Sequence, residues 1–138
     1  MTTEANKSIV LRYLELYATG DLSIADEILA PDFVDHTHPD RAPGPQAVKD
    51  EVAAFRTAFP DAYSTVERMI AEDDTVAFRF TVRGTHQNTF FGFPPTGKQV
   101  VLTGMDFIRI VDRKMVELWS CQDTLSWVQQ LGVKIQML

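Results

Sequence analysis

The apolar positions of this chain change rhythm once, at Tyr63. Before it they return at helical spacing; after it they alternate. Ile9, Leu11, Tyr13, Leu14, Leu16 and Tyr17 contain the i, i+3, i+4 intervals of an amphipathic helix over residues 4–18. Thr3 or Glu4 can begin that helix and Gly20 can end it. A second helix is predicted from about Ser23 to Leu29, stopped at Ala30-Pro31 because the residue before proline disfavours helical backbone. Asp32 to Pro39 reads as a short extended piece entering a proline-rich loop. Gly44-Pro45-Gln46 opens a third helix, with Val48, Val52, Phe55, Ala58 and Phe59 on its apolar face and Pro60-Asp61 at its end. Strands are then predicted over 63–71, 75–86, 98–111 and 114–123, with turns at Asp73-Asp74 and Asp112-Arg113. In the second of these, Val76, Phe78, Phe80 and Val82 share a face that parity extends to His86. A closing helix runs from Thr124 to Leu131, with Trp127 and Leu131 one turn apart.

Helices followed by strands indicate an α+β fold. The expected architecture is a cone: three N-terminal helices on the concave face of a four-strand antiparallel meander, with a pocket at the wide end. One domain spans residues 1–138, a usual single-domain length. The sheet would line the pocket with Phe80, His86, Trp119 and Asp123, and the helices with Tyr17 and Phe55. Phe33, Phe59 and Phe91 complete the expected binding set, although Phe55 and Phe59 read equally as core packing. Phe90, Phe91 and Phe93 fall in a loop, where aromatic exposure is costly unless they cover a cavity or a partner.

Charge and composition narrow the partners. A net charge of −6 with a pI near 4.9 and no basic run argues against nucleic acid. The N-terminus lacks the basic-then-apolar order of a signal peptide, and no apolar run approaches the roughly 18 residues of a membrane span, so a cytoplasmic protein is expected. Cys121 is the only cysteine, so no intramolecular disulfide can form. His36 and His38 could pair on a metal, but Pro39 closes the segment and no third ligand stands near it in sequence. No nucleotide motif is present, so no cofactor is expected.

In the last strand Trp119, Cys121 and Asp123 share a side. If that side faces inward, Asp123 is a buried carboxylate with a raised pKa, suited to act as a base near neutral pH. The alternative is that Asp123 caps the helix beginning at Thr124, where aspartate is a preferred residue.

Several segments, in this order, carry a resemblance. They are Ala30-Pro31-Asp32-Phe33-Val34-Asp35-His36, Ala58-Phe59-Pro60-Asp61, Thr85-His86, Gly92-Phe93-Pro94-Pro95-Thr96-Gly97-Lys98, Gly104-Met105-Asp106-Phe107-Ile108-Arg109, and Lys114-Met115-Val116-Glu117-Leu118-Trp119 with Asp123. Together they resemble the SnoaL-like polyketide cyclases, or ester cyclases, of the nuclear transport factor 2-like superfamily, from about Ser8 to Leu131. The resemblance implies a cone-shaped α+β barrel, often dimeric through its sheet. It implies a cofactor-free intramolecular aldol closure of a hydrophobic polyketide ester. Asp123 would match the family's general acid/base, His36 the histidine after the early aspartate and Thr85-His86 the pair before the loop. His36 is then the first candidate to hold enolate charge and His86 the second. The chain departs from the pattern at Arg113, at Leu118, where a histidine is usual, and at Asn88, where a glycine is usual.

Two further classes remain open. One is a pocket enzyme hydrolysing an epoxide or ester, with Asp106 and Arg109 as its nearest polar pair, although strand parity sets these two on opposite faces. The other is a small-molecule binding module without chemistry.

Overall fold

The structure, a computed structural model, describes residues 2–134. Helix α1 spans Thr3–Thr19. The Thr2 side chain accepts a hydrogen bond from the Ala5 amide at its start, and Gly20 ends it at φ 72°, a left-handed backbone that glycine adopts without a Cβ penalty. Helix α2 spans Ser23–Ile28 and α3 spans Gln46–Ala58. The strands are β1 (Leu29–Asp35), β2 (Tyr63–Glu72), β3 (Thr75–Thr85), β4 (Gln99–Val111) and β5 (Lys114–Gln122). Helix α4, Thr124–Gln130, follows β5 directly.

The sheet has five strands in the order β1-β5-β4-β3-β2. The expected four-strand meander is present as β2 to β5, all antiparallel. The fifth strand, β1, runs through Pro31 and pairs parallel to β5 through Leu29, Val34 and Asp35. The sheet is curved but not closed into a barrel, because β1 and β2 are its two edges. Helix α1 packs over β2 and β3, and α4 lies against β4.

Two irregularities set which residues face the helices. β4 and β5 pair in steady register from Gly104↔Gln122 to Arg109↔Glu117, then resume at Ile110↔Met115. Val116 is therefore an extra residue on β5, a bulge, and Met115 and Leu118 both point inward. β2 carries the same device at Glu67, between Val66↔Phe80 and Arg68↔Arg79.

The inner face of the sheet is apolar and alternates cleanly. Val76, Phe78 and Phe80 of β3 and Ile108 and Ile110 of β4 join Val10, Leu16, Ile24, Ile28, Phe33 and Val52 in the main core. A second cluster under the Phe90–Phe93 loop contains Phe59, Val100, Leu102, Trp127 and Leu131. Gly104, on the inner face of β4, faces Phe80 across the pair; a Cβ there would lie 2.6 Å from the tip of the Phe80 ring. Its lack of a side chain leaves room for that ring.

Candidate functional site

Between α1, α3, α4 and the inner face of the sheet lies a cavity of about 420 Å³. One wall is aromatic and apolar: Phe55 of α3, Phe90, Phe91 and Phe93 of the long loop, and Trp127, Val128 and Leu131 at the C-terminal end. The sheet contributes Phe78, Phe80, Val82 and Leu102. The other wall is polar, formed by Tyr13 and Tyr17 of α1, Glu51 of α3, His38 of the β1–α3 loop and Asp106 of β4.

Asp106 is the acid inside the cavity. It lies on the inward parity of β4 with Val100, Leu102, Ile108 and Ile110, and is only 6% exposed. Its Oδ1 is buried with no hydrogen-bond partner among the described residues. Burial penalises the ionised form and pushes its pKa up from 3.8 to about 6. The Ser120 hydroxyl, on the strand position directly opposite, pulls the other way, and the nearby carboxylates of Asp35 and Glu51 add to the rise.

A hydrogen-bonded chain runs along the polar wall. The Tyr17 hydroxyl donates to Glu51 Oε2 at 3.2 Å, and Tyr13 reaches Tyr17 over a long 3.5 Å. Arg41 Nη1 bridges Glu51 Oε2 (2.9 Å) and Asp35 Oδ2 (3.2 Å). Asp35 Oδ2 also meets His38 Nδ1 at 2.8 Å, while its Oδ1 accepts from the Thr37 amide at 2.9 Å. Burial pushes both tyrosine hydroxyls well above the ordinary phenol range, so they stay protonated as donors.

Of the residues expected from sequence, Tyr17, Phe55, Phe80 and Phe91 line the cavity. Phe33 is buried in the main core instead. Phe59 and His86 lie behind the cavity wall. Their rings stack 5.4 Å apart, and His86 Nδ1 is bound to the Thr96 hydroxyl at 3.1 Å. His86 does continue the apolar side of β3, but past the strand end, where that side runs into the second cluster.

Trp119, His36 and Asp123 are placed elsewhere. Counting by twos from the inward Met115 puts Trp119 inside, but the bulge at Val116 turns the rest of β5 over. Trp119 is 43% exposed on the outer face, where the His36 ring stacks on it at 4.7 Å. His36 Nε2 approaches Glu117 there at 3.6 Å. Asp123 is exposed and accepts from the Ser126 amide at 3.0 Å as the N-cap of α4, the helix-cap alternative read from the sequence. Arg109 points outward to Asp74 at 2.9 Å, so it and Asp106 do not share a site. His36 and His38 are likewise on different sides, and no set of three potential metal-ligating side chains converges among the described residues.

Asp106, named from the sequence only as half of a polar pair with Arg109, carried a stronger signal. Val100, Leu102, Gly104, Asp106, Ile108 and Ile110 form one alternating series, and a single acid interrupts it. An ionisable group at an apolar position of a half-buried strand is a site candidate in its own right.

Comparison with known proteins adds an identity to this geometry. AclR of Streptomyces galilaeus, a proposed hydroxylase, is 30% identical over 95% of this chain and 98% of its own, with a TM-score of 0.84. IdmH of Streptomyces antibioticus, a proposed polyketide cyclase, is 32% identical over 93% of this chain and 99% of its own, with a TM-score of 0.78. TsrD of Streptomyces laurentii shares the fold at a TM-score of 0.89 with 21% identity, covering 96% of this chain and 98% of its own. Among curated proteins none matches. The SnoaL-like polyketide cyclase family matches residues 7–131, and the chain belongs to that family.

Proposed function

We propose that this protein is a cofactor-independent cyclase that closes a ring in a hydrophobic, multi-carbonyl ester by an intramolecular aldol reaction, with Asp106 as its general acid/base. The observation that carries this reading is a buried carboxylate, its pKa raised to about 6, in a cavity whose opposite wall is aromatic. A methylene between two carbonyls is acidic enough to yield to such a base, and an ordinary aspartate near 3.9 is a weak one. Tyr13 is the donor best placed to hold the enolate oxygen. Its proton is spent only on a 3.5 Å contact to Tyr17, which a ligand oxygen can replace. The aromatic wall folds the substrate so that its ends meet. Asp123 is assigned the structural role of capping α4, not the chemistry.

The test is deuterium exchange at the acidic methylene of a linear β-keto ester that carries a distal methyl ketone placed to close a six-membered ring. Wild-type protein accelerates exchange above the buffer rate, rising through an acid limb near pH 6 as Asp106 ionises. Asp106→Asn lowers the catalysed rate about a hundred- to ten-thousandfold. An unchanged rate in that variant overturns the assignment.

The likeness to AclR favours one second reading, in which the same carbanion is captured by oxygen and not by a carbonyl. Product mass under isotopically labelled dioxygen separates the two. The resemblance to sheet-paired dimers also belongs here: Met105, Phe107 and Trp119 leave the outer face apolar and open, which supports a homodimer through that face.

A further inference from the structure

We propose that His38 is the proton donor that completes ring closure, delivering a proton to the new alkoxide, with Asp35 as the residue that positions it. The inference rests on the cyclase reading and concerns its second proton transfer, for which Asp106 is not the only group at hand.

His38 lines the cavity on the same polar wall as Glu51 and within reach of the same open volume as Asp106. Its Nδ1 is engaged by Asp35 Oδ2 at 2.8 Å. The Asp35 side chain is 7% exposed and accepts from the Thr37 amide and Arg41 as well, so it is an acceptor held in place from three sides. An acceptor at Nδ1 fixes the proton there and leaves Nε2 as the working nitrogen. Nε2 has no hydrogen-bond partner among the described residues. This pairing of an imidazole with a buried carboxylate orients the ring.

The other polar groups facing His38 are less suited to release a proton. Glu51, from α3, already accepts from Arg41 and Tyr17 and so acts as an anion. Tyr13 and Tyr17, from α1, have phenols pushed well above their ordinary range, which makes them hydrogen-bond donors that part with a proton reluctantly. Arg41, from the same loop as His38, is held between Asp35 and Glu51 and does not give up its proton. Asp106, from β4, carries the methylene proton by this stage and is the competing donor, against which the closure rate of His38→Gln is read.

The step balances as an isomerisation. Asp106 removes a proton from the methylene, and the resulting carbanion forms a carbon–carbon bond to the distal carbonyl carbon. The carbonyl π bond breaks, its electron pair goes to oxygen, and that oxygen takes the Nε2 proton of protonated His38. Asp106 then loses its proton to solvent and His38 regains one. Nothing is oxidised or reduced, and no co-reactant is consumed.

The two proton transfers can be read separately on the same β-keto ester probe. Exchange of the methylene needs the base alone; closure needs the donor as well. Exchange and closure both rise through an acid limb near pH 6 as Asp106 ionises, and only closure draws on His38. His38→Gln slows closure about a hundredfold or more and slows exchange far less. Asp35→Asn slows closure as His38→Gln does, because the ring loses the acceptor that orients it, and moves the acid limb of exchange to lower pH, because a carboxylate that raises the Asp106 pKa is removed. Closure by His38→Gln at the wild-type rate overturns the role of His38 and leaves Asp106 as base untouched. No exchange above the buffer rate in the wild type overturns the cyclase reading, and the role of His38 with it.

Discussion

Asp106 and Phe107 are neighbours on β4 with exchanged places. The acid is 6% exposed inside the cavity, and the phenylalanine is 54% exposed on the outer face. The inversion runs along both central strands, with Leu118 buried beside Trp119 exposed, and Gly104 buried beside Met105 exposed. A fold working for stability alone would do the reverse, since burying an ionisable group costs free energy and exposing a large apolar one forgoes it. The inner face gives up stability to hold a buried acid. The outer face leaves apolar area open, which the proposed homodimer would cover.

The largest effect that separates the faces comes from equal truncations on adjacent positions. Ile108, fully buried, should lose about 2–5 kcal/mol when replaced by alanine, read by urea unfolding. Phe107→Ala should leave the monomer's unfolding midpoint almost unmoved but shift sedimentation toward monomer. If Phe107→Ala unfolds the chain as readily as Ile108→Ala, the outer face is structural and the comparison fails.

Next in size is the cost of the buried acid. A folded-state pKa near 6 against 3.8 unfolded means the native state holds a proton that the unfolded chain has released. Native stability therefore falls as pH rises between those values, by about 3 kcal/mol at most. Below pH 3.8 the penalty is absent; above pH 6 it is complete. Asp106→Asn removes it, so the variant should melt higher than wild type at pH 8 and converge with it near pH 3 while being inactive. Equal melting at pH 8 would show that the cavity solvates the carboxylate well.

The smallest effect distinguishes the two aspartates. Asp123→Ala removes the α4 cap and should cost about 1 kcal/mol in denaturant unfolding, with methylene exchange unaffected. A loss of exchange as deep as that of Asp106→Asn would return the chemistry to β5.

Much of the fold was legible because two periods separate cleanly. The shift at Tyr63 from helical spacing to alternation located α1, α3 and the four antiparallel strands to within a residue or two. β1 was not legible as a strand. It is an edge of seven residues containing a proline, and its partner β5 lies some eighty residues away, so no local pattern marks it. Within the site, residues whose parity is undisturbed were placed correctly, as with Phe80, or were open to being so, as with Asp106. On β5 the two residues expected in the cavity and placed outside it, Trp119 and Asp123, lie beyond Val116. A bulge is set by how two strands meet, and nothing in Lys114-Met115-Val116-Glu117 announces it. Nothing in the sequence marks His38 for the cavity, because its partner Asp35 sits on the same short stretch and the turn that joins them is not written in any periodicity.

The extra residue at Val116 works as a counting device. Removing one residue there would turn the remainder of β5 over, bringing Trp119 and Cys121 to the inner face and sending Leu118, Ser120 and the cavity-lining Gln122 out. The contents of the pocket along this strand are thus decided by chain length as much as by residue identity. A relative that lacked the insertion could carry the same letters and present different chemistry to its substrate.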